Sequence, residues 1–542
     1  MLSFRLVLVL SAAIFAALLT GCNDRGGSTQ SRVAITADGE RSAREEMGNR
    51  LLDSASDMLN DLDNFDDGTL ENALQQVVRR MNEGLATLPD DAERPAPLTI
   101  HDGHILREIV WIRDAARFAV GDATDPLTRA ERLLDWTARN IQLIPPDDPE
   151  AELPLLPWHI LMFGRATELD RAWLFQLMAR QQQLDVVLLA YPAAAPDTKP
   201  GRLKRFCAGL LLDKQLYLFD ARIGAPIRVR TPDGERIATL AQVAADDAPL
   251  RALDLEGKPY PAKAADLGKL VAVVEASKAY TEPRFARIGR QLHGANKLVL
   301  EVDPAELSAR LKQVPGIVEV VEWPLRDERF AASRPVNQQI YAALQEMLRP
   351  FSLPPNDPNA AKIRLMQKAR VRHFSGKYYE NPRETDPELK NLSINRRYQA
   401  TRTSKEELIS ARVQFNQSVW SLALRVKQNA TYWLGLVAYD LGNYDTARSY
   451  FDAILAEESS TDWVVGARYN RGRSYEAEAD ALNDALKNAT KDAAQEAAKI
   501  TAQQLALRKQ AIETYRKTYL NHEPDDQALE RAKWLEAALT SS

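Results

Sequence analysis

The 542-residue sequence predicts an α+β multidomain protein in which a mixed α+β half is followed by an all-α helical array. Three observations predict that class. Two β-rich apolar runs, LDVVLLAY (184–191) and FCAGLLLDKQLYLFD (206–220), follow amphipathic helical patterns, and helix, helix, then antiparallel strands is the order of an α+β domain. From about residue 335 no strand pattern persists and periodicity of three and four takes over. The length suffices for roughly two to four domains of about 100–200 residues each. Charge adds an exclusion: 70 basic residues nearly balance 75 acidic ones with no long run of one sign, so nucleic acid is not an expected partner.

At the N-terminus MLSFR supplies one positive charge, LVLVLSAAIFAALL an apolar core, and Leu19-Thr20-Gly21-Cys22 closes the segment. The apolar run stops at Thr20, too early for a spanning helix. The pattern resembles a bacterial lipobox. That resemblance implies a signal peptide over 1–21 and lipidation of Cys22 as the mature N-terminus, on its sulfur and its amine. Several acyl chains at ~0.8 kcal/mol per buried methylene make a durable membrane anchor. Asn23, in place of the aspartate associated with inner-membrane retention in some bacteria, favours the outer membrane of the bacterial cell envelope, facing the periplasm. Residues 22–46 are polar and read as a flexible tether. With Cys22 lipidated, Cys207 is the only other cysteine, so no internal disulfide can form.

A first domain is expected over 47–270. Leu51, Leu52, Met58 and Leu59, then Leu74, Val77, Val78 and Met81, predict two leading helices. DPLTRAERLLDWTARNIQLI (125–144) puts Ala130, Leu133, Leu134, Thr137 and Ile141 on one face, opposite Arg129, Glu131, Arg132 and Arg139, and predicts a half-buried helix. Pro145-Pro146-Asp147-Asp148-Pro149 breaks it, and an irregular loop is expected as far as Gly164. Thr167, with Asp170 three residues on, caps the next helix; a strand over 184–191 and a hairpin around Asp213-Lys214 follow. A small α/β unit is expected over 271–335, in which KLVLEV forms a strand, Asp303 caps a helix begun by Pro304, and a second strand follows Gly316.

These residues resemble the transglutaminase-like (papain-related) superfamily over about 100–120 residues. Trp136-Thr137-Ala138-Arg139-Asn140-Ile141 matches a W-x-x-x-N-I helix, and the Gly164 turn, the helix with Ala172, the 184–191 strand and Asp220 fall in the family's order. The reactive groups depart from it. Glu168 stands four residues before Ala172, where the family carries its cysteine, and LKRFCAGLLL lacks the histidine. A thiolate at a helix N-terminus needs sulfur of lowered pKa and an imidazole to shuttle protons, and glutamate supplies neither. Glu168, Cys207 and Asp220 are therefore degenerate catalytic positions, and Glu168 is expected to complement the helix dipole.

An enzyme alternative would use Cys207, placed after the basic run Arg202-Leu203-Lys204-Arg205, as the nucleophile of a hydrolase or transferase. His159 is the nearest histidine in sequence, 48 positions upstream. His101 and His104 are the only closely spaced histidines, and without neighbouring cysteines HDGH makes a weak metal pair, so no metal and no cofactor are expected.

Residues 336–542 carry a second resemblance. ATYWLGLVAYDLGNYDTARSYFDAIL (430–455) resembles the tetratricopeptide repeat, with Leu434 and Gly435 on a first helix, Leu441-Gly442-Asn443-Tyr444 as the turn and Ala447, Tyr450 and Phe451 on a second. Arg471-Gly472 and Tyr475 repeat the first-helix pattern 37 residues later. Gly435 to Ala447 spans 12 residues and Gly472 to Ala511 spans 39, so an Ala-rich insert of about 27 residues should lengthen the second pair of helices. Upstream, Ala369-Arg370 and Phe374-Ser375-Gly376-Lys377-Tyr378 form a further degenerate unit, and a helix over 525–540 caps the stack. The resemblance implies a groove for a peptide or protein partner, with Tyr432, Tyr439, Tyr469, Asn470, Arg473 and Glu476 as candidate contacts. The expected function is thus a non-catalytic, membrane-anchored lipoprotein with a protein-binding or scaffolding role. A small-molecule-binding lipoprotein is the third alternative; it would show a deep apolar pocket with a few converging polar groups.

Overall fold

In the computed structural model, residues 37–62, 67–88, 96–192, 203–232, 234–352, 360–378, 394–402, 417–457, 461–487, 494–520 and 523–540 are described. The expected signal peptide, Cys22 and His522 lie outside them. The architecture is mixed α+β with one six-stranded mixed sheet. Helices α1 (Ala37–Asn60) and α2 (Asp67–Thr87) pack as an antiparallel pair. The first begins inside the stretch expected to be a tether: residues 37–46 are helical, residues 40–46 are exposed, and Glu46 pairs with Arg50 one turn on.

Helix α3 (Ile100–Val120) starts at a Thr99–Asp102 capping box, and α4 (Pro126–Asn140) starts at an Asp125 cap with Pro126 as its first residue. A short helix, α5 (Pro157–Phe163), occupies part of the expected irregular loop. Pro157 opens it, the Leu156 N–H donates to His159 Nδ1, and Gly164 closes it in the left-handed region at φ 67°. Two-residue strands β1 (Gln142–Leu143) and β2 (Arg165–Ala166) pair in parallel and bring the end of α4 beside the start of α6 (Glu168–Gln181). Helix α6 is apolar on no single face, since nearly all its residues are buried.

The sheet runs β10-β9-β3-β4-β5-β6, with β3 (Val186–Ala190), β4 (Arg205–Leu212), β5 (Gln215–Asp220) and β6 (Ala225–Pro226) antiparallel to one another. Alternate residues of β3 enter different cores: Val186 and Leu188 pack with α6, whereas Val187 and Leu189 pack with Leu216, Leu218 and Leu240 on the other face. Burial on both faces is why the run is continuously apolar. Asp213 (φ 46°) and Lys214 (φ 63°) close the β4–β5 hairpin, as expected. A second hairpin, β7 (Arg228–Thr231) with β8 (Gly234–Ile237), stands beside the sheet.

The strand pair expected at 297–324 forms differently. KLVLEV is extended but outside the ladder; its Leu298 and Leu300 are buried and its Val299 N–H donates to Gln181. The parallel partners are β9 (Leu270–Glu275) and β10 (Ile317–Trp323), and helix α7 (Pro304–Leu311), capped by Asp303, lies in the crossover between them. Because β9 also pairs with β3, the sheet crosses the boundary expected at 270/271. The small unit is an extension of the first sheet. A run of five apolar residues buried on both faces satisfies its backbone inside an existing ladder at lower exposed-edge cost than by starting a new sheet.

The C-terminal part is helical: α8 (Ala360–Phe374), α9 (Ile394–Thr401), α10 (Gln417–Asp440), α11 (Tyr444–Leu455), α12 (Val464–Lys487), α13 (Ala494–Arg516) and α14 (Asp526–Thr540). From α10 onward each helix packs on the next. Gly435 and Gly472 make the crossings close: a Cβ on the first would lie 2.5 Å from the Phe451 ring, and one on the second 2.4 Å from the Tyr515 ring. Of the expected insert, residues 482–487 extend α12 and 494–508 lie in α13, which are 24 and 23 residues long, and 488–493 lie outside the described residues.

Candidate functional site

Three places collect the residues singled out for their chemistry. The first is the N-terminal end of α6. Thr167 accepts the Asp170 N–H as cap, so Glu168 becomes the first helical residue. Strand β4 carries Cys207 and β5 ends at Asp220, and these positions are near enough for their charges to act on one another. Burial pushes the Glu168 carboxyl up and Asp220 adds to the effect, against Arg222 and Arg205. Burial likewise drives the Cys207 thiol well above its ordinary value, and the Asp220 and Glu168 carboxylates further oppose its ionisation. Asp220 accepts from Tyr260 Oη at 2.6 Å and from the Arg222 N–H at 2.7 Å. It orients no imidazole among the described residues. His159 is buried in α5, its ring stacked on Phe163 and tilted against Trp158, and burial pushes it down to about 3.

His101 and His104 hold no metal cluster, and none is formed by His, Cys, Asp and Glu among the described residues. His104 pairs with Glu71 at 3.3 Å and His101 packs on Phe330.

The second place is the inner side of the helical array. Of the six residues expected to line a partner groove, Tyr432, Tyr469, Asn470, Arg473 and Glu476 are buried and Tyr439 is half-buried. Tyr439, Asn470 and Arg473 meet helix α4 of the same chain. Asn470 Nδ2 donates to the Arg139 carbonyl at 3.0 Å, Arg473 pairs with Asp135 at 2.8 Å, and the Arg139 guanidinium sits 4.6 Å over the Tyr439 ring. Arg139 also pairs with Asp440 at 3.0 Å, and Glu476 with Arg531 of α14 at 2.6 Å. Burial would push the Asp135 carboxyl up, yet Arg473 and Arg139 hold it down at about 2. The expected open groove is therefore a filled junction between the two halves. Periodicity assigned these side chains to one helical face but carried no information on what that face meets.

The third place was not foreseen as a site. Between α4, the β6–β8 region and α14 lies a cavity of about 890 Å³. Its apolar wall includes Ile223, Pro226, Val229, Leu253 and Trp534. The basic side chains on it are engaged within the chain: Arg132 with Asp122, Arg228 with Glu131, Arg230 with Glu235, Arg139 and Arg531 as above. Lys533 Nζ donates to the Ala252 and Asp254 carbonyls. Helix α14 is fixed over the cavity by Arg222 and Lys258 on Asp526, at 2.7 and 3.1 Å, and by Arg171 on Gln527 at 2.9 Å. The only local signal for this place was Glu530 and Trp534 at helical i, i+4 spacing.

No family model, no curated protein and no solved structure matches the chain.

Proposed function

We propose that the chain is a non-catalytic, lipid-anchored lipoprotein of the bacterial cell envelope, built from a transglutaminase-like domain without its reactive groups and a tetratricopeptide-like array, with a protein-binding or scaffolding role. One observation carries the non-catalytic reading: the only cysteine besides Cys22 is buried, its thiol held protonated by burial and by two carboxylates, Asp220 and Glu168. The repeat reading draws support from the spacing of the close crossings. Phe451 follows Gly435 by 16 positions and Tyr515 follows Gly472 by 43, a difference equal to the 27-residue insert. Both Ala447 and Ala511 are fully buried at the matching positions. With its inner face turned onto α4, the array stiffens the chain, and a protein partner would take its outer surface.

The reading is tested in membranes with the full-length chain and its Cys207→Ser and Cys22→Ser forms. A reversible crosslinker should recover the same partner with the wild type and with Cys207→Ser, and Cys22→Ser should release the chain to the soluble fraction. A covalent acyl adduct on Cys207, found by mass spectrometry, would make the protein an enzyme. Membrane retention of Cys22→Ser would remove the lipid anchor.

A further inference from the structure

Glu530 lies on the wall of the 890 Å³ cavity and is 8 % exposed, yet among the described residues it makes no hydrogen bond and no ion pair. Every other carboxylate on that wall has a partner: Glu131 in Arg228, Asp135 in Arg139 and Arg473, Glu235 in Arg230, and Asp246 in the Ala248 N–H at 2.9 Å. A carboxylate so little exposed loses part of its hydration with no donor in return, which disfavours its charged form. Burial pushes its carboxyl up to about 7, against the pull of Lys533 and Arg222 and with the help of Asp220 and Asp526. The Lys533 ammonium does not close on it, being turned onto two backbone carbonyls.

One helical turn away, at i+4, Trp534 faces the same cavity with 41 % of its surface open, and the Arg531 guanidinium covers part of its ring at 4.8 Å. The cavity thus offers one unpaired carboxylate that can accept hydrogen bonds, an aromatic plate and an apolar wall, in a volume within the ~300–1,000 Å³ of small-molecule sites. The guanidinium groups on the wall are paired with carboxylates and the Lys533 ammonium is held by two backbone carbonyls, which leaves Glu530 as the charged group there with no bonded partner among the described residues.

We infer that the cavity under α14 binds a small organic cation, an amine with an apolar or aromatic body, its ammonium on Glu530 and its body against Trp534 and the Ile223–Pro226 wall. This is a site separate from the scaffold role, and either can fail without the other.

Calorimetric titration of the full chain at pH 7.5 tests it with three probes of one skeleton: phenethylamine, 3-phenylpropanamide and 3-phenylpropionate. The amine should bind saturably with a dissociation constant below about 1 mM, and at least tenfold more tightly than the amide or the acid. Glu530→Gln should lose that preference by tenfold or more, Trp534→Ala should weaken the amine severalfold, and the exposed control Glu513→Gln should change nothing. Selectivity in the unmutated chain needs no variant to fold. Equal binding of amine and acid, no saturable binding of the amine, or an unchanged amine affinity in a folded Glu530→Gln overturns the inference.

Discussion

The core of the sheet and the junction between sheet and array are built from opposite materials. In the first, Val186, Leu188 and Phe219 pack with Phe175 and Trp173, all buried apolar or aromatic side chains. In the second, Arg139, Asp135, Asp440, Arg473, Glu476 and Arg531 form a chain of buried or half-buried ion pairs around the Tyr432, Tyr439 and Tyr469 rings. An apolar core supplies stability in proportion to area and tolerates any filling of similar shape. A buried ion network returns little net stability, because desolvation offsets attraction, but it accepts only one arrangement of its members. The two halves are therefore held in one orientation by charge and kept folded by carbon.

Breaking either material should have the largest effect. Phe219→Ala should cost about 3–5 kcal/mol in chemical denaturation by leaving a cavity under α6. Arg473→Ala should cost about 1–3 kcal/mol, because Asp135 loses one of its two guanidinium partners and keeps Arg139. The cures should differ. The double replacement Asp135→Leu with Arg473→Met should recover most of the second loss, and no polar partner should recover the first; if the double variant is as unstable as the single one, the junction is not an ion network of this kind.

A glycine crossing tests the array alone. Gly472→Ala forces a methyl against the Tyr515 ring and should cost about 1–3 kcal/mol, with the sheet half keeping its own hydrogen-exchange protection. Loss of protection in both halves together would mean that they unfold as one unit.

Glu530 gives a pH-dependent effect of middling size. Its carboxyl is pushed up to about 7 in the folded chain and ionises near 4.3 in an unfolded one. Between those values the unfolded chain sheds a proton that the folded chain retains, so stability falls as pH rises from about 4.3 to about 7 and the deficit persists above. Glu530→Gln should thus be more stable than the wild type by about 1–3 kcal/mol at pH 8 and equal to it at pH 4. An equal difference at both values would assign the effect to packing. The smallest effect is expected from Asp303→Ala, about 1 kcal/mol for one helix cap in the crossover of the sheet.

Local structure was legible where one short stretch carries its own reason. Asp125-Pro126, Thr167 with Asp170, Asp303-Pro304 and Asp213-Lys214 each mark a boundary that the folded chain uses, because caps and tight turns are satisfied within four residues. What depended on distant partners was not legible. The LVAVVE run at 270–275 becomes a strand by pairing with residues more than 40 and more than 80 positions away, whereas KLVLEV, also rich in Leu and Val, remains outside the ladder. The array residues followed the same rule. Tyr439, Asn470 and Arg473 have the composition of a binding surface, and they do bind a surface, that of α4. The cavity joins residues near 130, 225 and 530, and no window of sequence holds all three.

The reactivity of the Cys207 thiol tests the central claim most directly. In the native full-length chain its alkylation by iodoacetamide, located by mass spectrometry across pH 6–10, should be at least about a hundredfold slower than in denaturant and should show no inflection in that range, since burial and the Asp220 and Glu168 carboxylates all oppose the thiolate. Rapid labelling with an inflection below pH 8 would reveal an activated thiolate and contradict a non-catalytic protein.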